Sequence, residues 1–153
     1  MAASDLYKPR VFIDADVLFA GAASPSEHGA SLVVLRLAEI TLIKAITSEQ
    51  VITEAERNLS AKIPDALPSF RLLVSRCLQV VETPTPLERG MYHGLADNKD
   101  LSILVAALRE SCPWLLTFNT RHFQPSHPDV IALPPGQFVQ RIRHLMAQLN
   151  RNA

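Results

Sequence analysis

Short apolar runs that alternate with amphipathic stretches predict an α/β protein, built on a parallel sheet with helices on both faces. Three observations carry that expectation. Runs of strand length occur at 11–14, 42–46, 79–82, 114–118 and 130–133, and most of their residues are apolar. The segments between several of them place apolar residues near helical spacing. Two runs end in polar residues, Asp14 and Asn119, at the carboxyl ends where open parallel sheets collect ligands.

The elements follow in order. Pro9 marks the start of the first strand, 11–14, and Gly21, Ser24, Pro25 and Ser26 suggest a turn region over 15–27. Residues 28–40 carry Leu32, Val33, Leu35, Leu37 and Ile40 near helical spacing, and 42–46 (LIKAI) suit a second strand. Thr47 or Ser48 can cap the next helix, which turns Val51, Ile52, Ala55 and Leu59 inward and stops at Pro64. Residues 65–78 read as a helix with Leu67, Phe70, Leu73, Val74 and Cys77, followed by a short strand at 79–82. The irregular run TPTPLERGMYHGLADN has room for one helical turn after Pro86. Asp97 to Glu110 is the best-defined helix, then WLLTF and VIAL give two strands. An amphipathic helix over 136–150 closes the fold with Phe138, Val139, Ile142, Leu145, Met146 and Leu149.

At 153 residues the chain is expected to form one domain, 1–153, with its core over about 10–140. Its 48% apolar and 20% charged residues are those of a globular protein rather than a disordered one. The formal net charge is zero, so no overall field draws it to nucleic acid. The charge is nonetheless uneven: residues 111–153 hold Arg121, Arg141, Arg143 and Arg151 against Asp129 alone. No apolar run is long enough to span a bilayer, and the N-terminal residues lack a signal-peptide core, so a cytoplasmic protein without membrane contact is expected. Cys77 and Cys112 have no metal-site spacing and read as two buried thiols.

The chemistry lies in the acids. Carboxylates gathered without cationic partners repel one another, and such gatherings commonly serve a hard divalent ion. Asp14 closes an apolar strand, where a carboxylate is costly unless something pairs with it; the plainer alternative is a cap on the following helix. Asp16 reads equally as a residue supporting a metal site or as a helix cap. Glu54 lies near the border of its helix's apolar face and can point inward, although most helical glutamates are solvated. Asp97 and Asp100 are three residues apart at a helix start, which suits both a capping arrangement and a metal site; the reading adopted is that Asp97 caps and Asp100 faces the metal. Asn119 can offer an amide oxygen. Thr117 can hydrogen-bond a carboxylate or a water. Arg121 and His122 follow within reach of a phosphate.

In order and spacing, the strand ending at Asp14, Glu54 in its helix, Asp100 before DLSILVAAL, and LLTFNTRHF resemble the PIN-domain family of metal-dependent ribonucleases, which includes the VapC-type toxins. That resemblance implies a three-layer α/β/α sandwich with a central parallel sheet of about five strands. It implies a pocket for Mg²⁺ or Mn²⁺ and hydrolysis of RNA by activated water. Asp14, Glu54 and Asp100 match the family's three main acids, with Asp97 accessory and Asn119 at the fourth metal-facing position. Lys99, Thr117, Arg121 and His122 would meet the substrate, with Lys44 behind them. A small antitoxin protein and a second copy of the chain are the partners the family suggests. Two departures stand out: many members have Asn where this chain has Asp16, and the fourth acid falls where it has Asn119. FIDADVL also resembles the opening motif of haloacid-dehalogenase-type phosphatases, with Asp14 as nucleophile, Asp16 as general acid and ADNKD supplying Mg²⁺ acids. A degenerate, RNA-binding PIN domain is the non-catalytic alternative.

Overall fold

The computed structural model of the chain describes residues 8–24 and 29–151. Five parallel strands form one sheet in the order β3-β2-β1-β4-β5: β1 Arg10–Ile13, β2 Lys44–Ser48, β3 Leu78–Val81, β4 Trp114–Leu116 and β5 Ile131–Leu133. Seven α-helices accompany them among the described residues: α1 Ala15–Ala23, α2 Ala30–Glu39, α3 Glu49–Lys62, α4 Leu67–Cys77, α5 Pro86–Gly90, α6 Leu101–Arg109 and α7 Pro135–Arg151. The crossovers from β1 to β2 and from β2 to β3 step one way along the sheet, and that from β3 to β4 steps back past them. Right-handed crossovers therefore put α1–α4 on one face and α5–α6 on the other. The expected three-layer sandwich is the architecture found.

Burial follows the apolar runs. Phe12, Ile13, Ile46, Leu115 and Leu116 are fully enclosed between the layers. Every residue of α6 from Leu101 to Ala107 is buried, as expected of a helix apolar nearly all round. Each large side chain so enclosed contributes about 1.5–3 kcal/mol of burial free energy, and Leu104→Ala would cost about 2–5 kcal/mol.

Three local expectations are corrected. The first is the turn region at 15–27: its described part is α1, a nine-residue helix, while Pro25 and Ser26 lie outside the described residues. Ala15, Val17, Leu18 and Gly21 face inward, and Gly21 marks close packing rather than a turn, because a Cβ there would come within 2.8 Å of Leu35 Cδ1. The second concerns the α3 cap. Thr47 Oγ1 donates instead to the Ile13 carbonyl at 2.8 Å, and Ser48 occupies the cap position without a side-chain bond. The third is α6, which begins at Leu101 rather than Asp97. The Asp97 N–H is already bonded to the His122 carbonyl at 2.8 Å, and the Asp100 N–H to the Asp97 carbonyl at 2.8 Å, so 97–100 form a turn. Asp100, not Asp97, takes the cap position, without a capping bond from its side chain.

Candidate metal centre

The sheet order reverses between β1 and β4, and Asp14 and Thr117 follow directly at the carboxyl ends of those two strands. This is the switch point where a crevice opens in a parallel sheet. Thr117 is fully buried and donates from Oγ1 to Asp14 Oδ2 at 2.8 Å, while the Ala15 amide donates to Asp14 Oδ1 at 2.7 Å. Its burial corrects the expectation that Thr117 meets substrate: it fixes the Asp14 carboxylate across the crevice instead. Lys44 is also corrected. It pairs with Arg10 at the opening end of the sheet, about 13 Å of strand from Asp14, and cannot stand behind a phosphate in the crevice.

The first turn of α1 brings Asp16 beside Asp14. Asp16 Oδ2 accepts from the Phe118 amide at 2.9 Å and from the Asn119 Nδ2 at 3.1 Å. Its Oδ1 is buried and has no partner. By sequence, positions 16 and 119 are two separate departures from the pattern that the resemblance implies. The fold joins them: the carboxylate at 16 is held by the amide at 119 in one hydrogen-bonded pair.

Glu54 and Asp100 complete the acidic group. Burial lifts Asp14 from the ordinary 3.8 to about 7, and the charges of Asp16 and Glu54 push the same way against the Thr117 and Ala15 bonds. Asp16 is raised by burial and held back by the donors on its Oδ2. Glu54 is exposed overall, yet partial desolvation of its carboxylate raises it, followed by the charges of Asp100 and Asp16, with Arg57 and Lys99 opposing. Asp100 is raised by burial, with Asp97 adding and His122 and Lys99 opposing. The charges of Asp16 and Glu54 thus reach Asp14, and those of Asp16 and Asp100 reach Glu54, so the four acids share one field. None of the four forms an ion pair with Lys or Arg among the described residues.

His122 was assigned to phosphate by sequence, and the fold gives it a different neighbour. Its Nδ1 lies 3.1 Å from Asp100 Oδ2, although that oxygen makes no hydrogen bond. One ligand atom from each of Asp97, Asp100 and His122 falls within 4.8 Å of the others, a spacing that could hold an ion. His122 lies in the short 3₁₀ turn Thr120–Phe123, and its carbonyl receives the Asp97 amide, which brings the two segments together. Lys99 and Arg121 are exposed, as residues reaching a substrate must be.

The donor set fits a hard divalent cation. Asp16 Oδ1 is buried without a hydrogen-bond partner, Asp100 Oδ2 has only the His122 ring nitrogen at 3.1 Å, and Asp14, Asp16, Glu54 and Asp100 are each raised by their surroundings. A cation would satisfy both conditions. The phosphatase reading does not fit the fold: ADNKD lies in the turn leading into α6, not after a strand.

Comparison with known proteins points the same way. A family model described as a PIN domain matches residues 10–121. No curated protein shows a significant sequence match. The fold is similar to that in the crystal structure of VapBC2 from Rickettsia felis bound to a DNA fragment from their promoter. There the identity is 17%, the TM-score 0.62, and the match covers 82% of this chain and 98% of that one. It is also similar to Mycobacterium tuberculosis VapC20, a toxin that cleaves the Sarcin-Ricin loop. Identity is 16%, the TM-score 0.55, and coverage 78% of this chain and 98% of that one.

Proposed function

The chain belongs to the PIN-domain family, and on that premise we propose that it is a metal-dependent endoribonuclease that hydrolyses RNA phosphodiester bonds. The observation that carries the reading is the pair Asp14 and Asp16 at the β1–β4 switch point, with Asp16 Oδ1 buried and without a hydrogen-bond partner, beside Asp97, Asp100 and His122, whose ligand atoms lie within 4.8 Å of one another. Asp14, Glu54 and Asp100 would hold Mg²⁺ or Mn²⁺, with Asp97, His122 and the Asn119 amide oxygen as further donors. When bound, such an ion lowers the pKa of a coordinated water and offsets charge at the phosphorus.

The chain's own residues do the positioning. Thr117 and the Ala15 amide fix the rotamer of Asp14, so its charge need not reorganise as the reaction proceeds. Asn119 and the Phe118 amide fix Asp16 in the same way. Lys99 and Arg121 are placed to attract the phosphate backbone. Asp16 keeps a buried, unpartnered carboxylate oxygen beside Asp14 where Asn119 brings no charge, which favours an active site over a degenerate one.

The likeness to the two toxins supports a narrower reading: the chain is the toxin of a toxin–antitoxin pair, held by a small antitoxin, and associates with a second copy of itself. An RNA substrate, and the lack of any helix long and apolar enough to cross a membrane among the described residues, favour a cytoplasmic location. The test is cleavage of single-stranded RNA. Cleavage with Mn²⁺, its loss in EDTA and its loss in Asp14→Asn support the proposal. RNA left intact by the wild type with Mn²⁺ would leave the degenerate, RNA-binding reading.

A further inference from the structure

Glu54, whose carboxylate feels the charges of Asp100 and Asp16, lines a polar groove. The groove has a volume of about 540 Å³ and runs along α3, with Glu49, Gln50, Arg57, Asn58 and Thr83 among its walls. Its wall is held in place from within the fold. The buried Ser102 hydroxyl, on α6, donates to Gln50 Oε1 at 2.6 Å. The Gln50 backbone amide donates to Thr83 Oγ1 at 3.0 Å. The side-chain amide of Gln50 is thereby fixed, with its NH₂ making no hydrogen bond among the described residues. Arg57 lies three residues beyond Glu54 on the same helix, about 5–6 Å away between Cβ atoms. It has neither an ion pair nor a hydrogen bond among the described residues, while its charge acts on Glu54.

We propose that this groove is the subsite for the nucleotide adjoining the scissile phosphate of a single-stranded RNA. The inference rests on the reading of the acidic crevice as the place of phosphodiester cleavage. Arg57 offers a planar set of donors suited to one phosphate. Gln50 offers its NH₂ as a donor and the Asn58 amide can donate and accept, the capacity needed to meet the edge of an unpaired base. Glu49 on the same wall fits a single phosphate flanked by a base rather than a run of phosphates. The volume lies within the range of about 300–1,000 Å³ common to small-ligand sites. The lining is too polar for an apolar peptide helix.

The test measures anisotropy of a fluorescein-labelled 2′-O-methyl oligonucleotide of about eight nucleotides, in Ca²⁺ buffer over a salt series. Calorimetric Mn²⁺ titration and Mn²⁺-dependent RNA cleavage are run alongside on the full chain. Arg57→Gln is expected to weaken oligonucleotide binding about tenfold and to reduce the salt slope by about 0.7, the loss of one phosphate contact to a single strand. Its Mn²⁺ affinity should stay within about threefold of the wild type. Asn58→Ala should weaken binding with the salt slope unchanged. If both variants bind the oligonucleotide as the wild type does while the wild type cleaves RNA, the groove assignment is overturned and the proposed activity stands. If Arg57→Gln loses oligonucleotide and Mn²⁺ affinity together, Arg57 acts through the acidic crevice, and the assignment is again overturned. If the wild type neither binds the oligonucleotide nor cleaves RNA, both readings fall.

Discussion

Asp14→Asn should make the metal-free protein more stable at pH 8, although it removes the central carboxylate of the proposed site. The folded-state pKa of Asp14 is about 7 against an ordinary 3.8. The folded protein therefore retains a proton between pH 4 and 7 that the unfolded chain has released, and stability falls as pH rises through that window. The difference between those two values corresponds to about 4 kcal/mol above pH 7, an upper figure. Asparagine removes that penalty but cannot reproduce both bonds. Its oxygen can accept from the Ala15 amide, while its NH₂ must face the Thr117 hydroxyl, which at present donates to Asp14. Re-sorting this pair costs about 1 kcal/mol. The net gain is then about 2–3 kcal/mol at pH 8, or a rise of about 4–12 °C in melting temperature for a chain of this size. At pH 4 the gain should vanish, because Asp14 is then largely protonated in the folded state. Thermal unfolding in EDTA from pH 4 to 8 reads this directly. A variant no more stable than the wild type at pH 8, or stabilised equally at pH 4 and 8, would refute the reasoning.

Three further outcomes are expected. Mn²⁺ should raise the melting temperature of the wild type and release protons on binding at pH 6–7, where Asp14 is partly protonated; buffers of different ionisation enthalpy in calorimetry measure the protons. Asn119→Asp would set a second carboxylate about where an amide donor now lies 3.1 Å from Asp16 Oδ2, a repulsion of about 1 kcal/mol at solvent-like dielectric. Asp16→Asn combined with it should restore the pair, so a double-mutant cycle of metal-free stability should show a coupling of about 1 kcal/mol, and additive effects would contradict the bond. Thr117→Val should cost about 1–3 kcal/mol in urea unfolding at pH 8, because it leaves the buried Asp14 oxygen unpaired, and should lower Mn²⁺-dependent cleavage without changing the fold by circular dichroism.

Much of the fold was legible because apolar runs of strand length end in residues no core would keep unaided, as at Asp14 and Asn119. The helix over 15–23 was not, because Gly21, Ser24 and Pro25 look like turn residues. At Gly21 the missing side chain instead serves close packing against Leu35. The start of α6 was misplaced because both Asp97 and Asp100 suit a helix cap, and a bond from the distant His122 segment decides between them. The acids were legible as candidates because carboxylates beside apolar runs are costly in any context. Their supports were harder to see. The Asp16 to Asn119 bond spans 103 residues, and the Gln50 to Ser102 bond spans 52. Local spacing reports neighbours on one element, whereas these pairs arise from the order of strands and helices. Thr117 was read as a substrate contact because sequence shows its place at a strand end but not its complete burial.

The claim that acids from distant elements form a single metal shell rests most heavily on Glu54, which is exposed and belongs to α3 rather than to the β1–β4 crevice. Calorimetric Mn²⁺ titration of Glu54→Gln beside the wild type tests it most directly, since the substitution keeps the shape and removes one charge. The account predicts that affinity falls at least about tenfold, the effect of one charged ligand, with the melting temperature in EDTA unchanged or slightly raised. Binding of Mn²⁺ by Glu54→Gln as tight as by the wild type would contradict it.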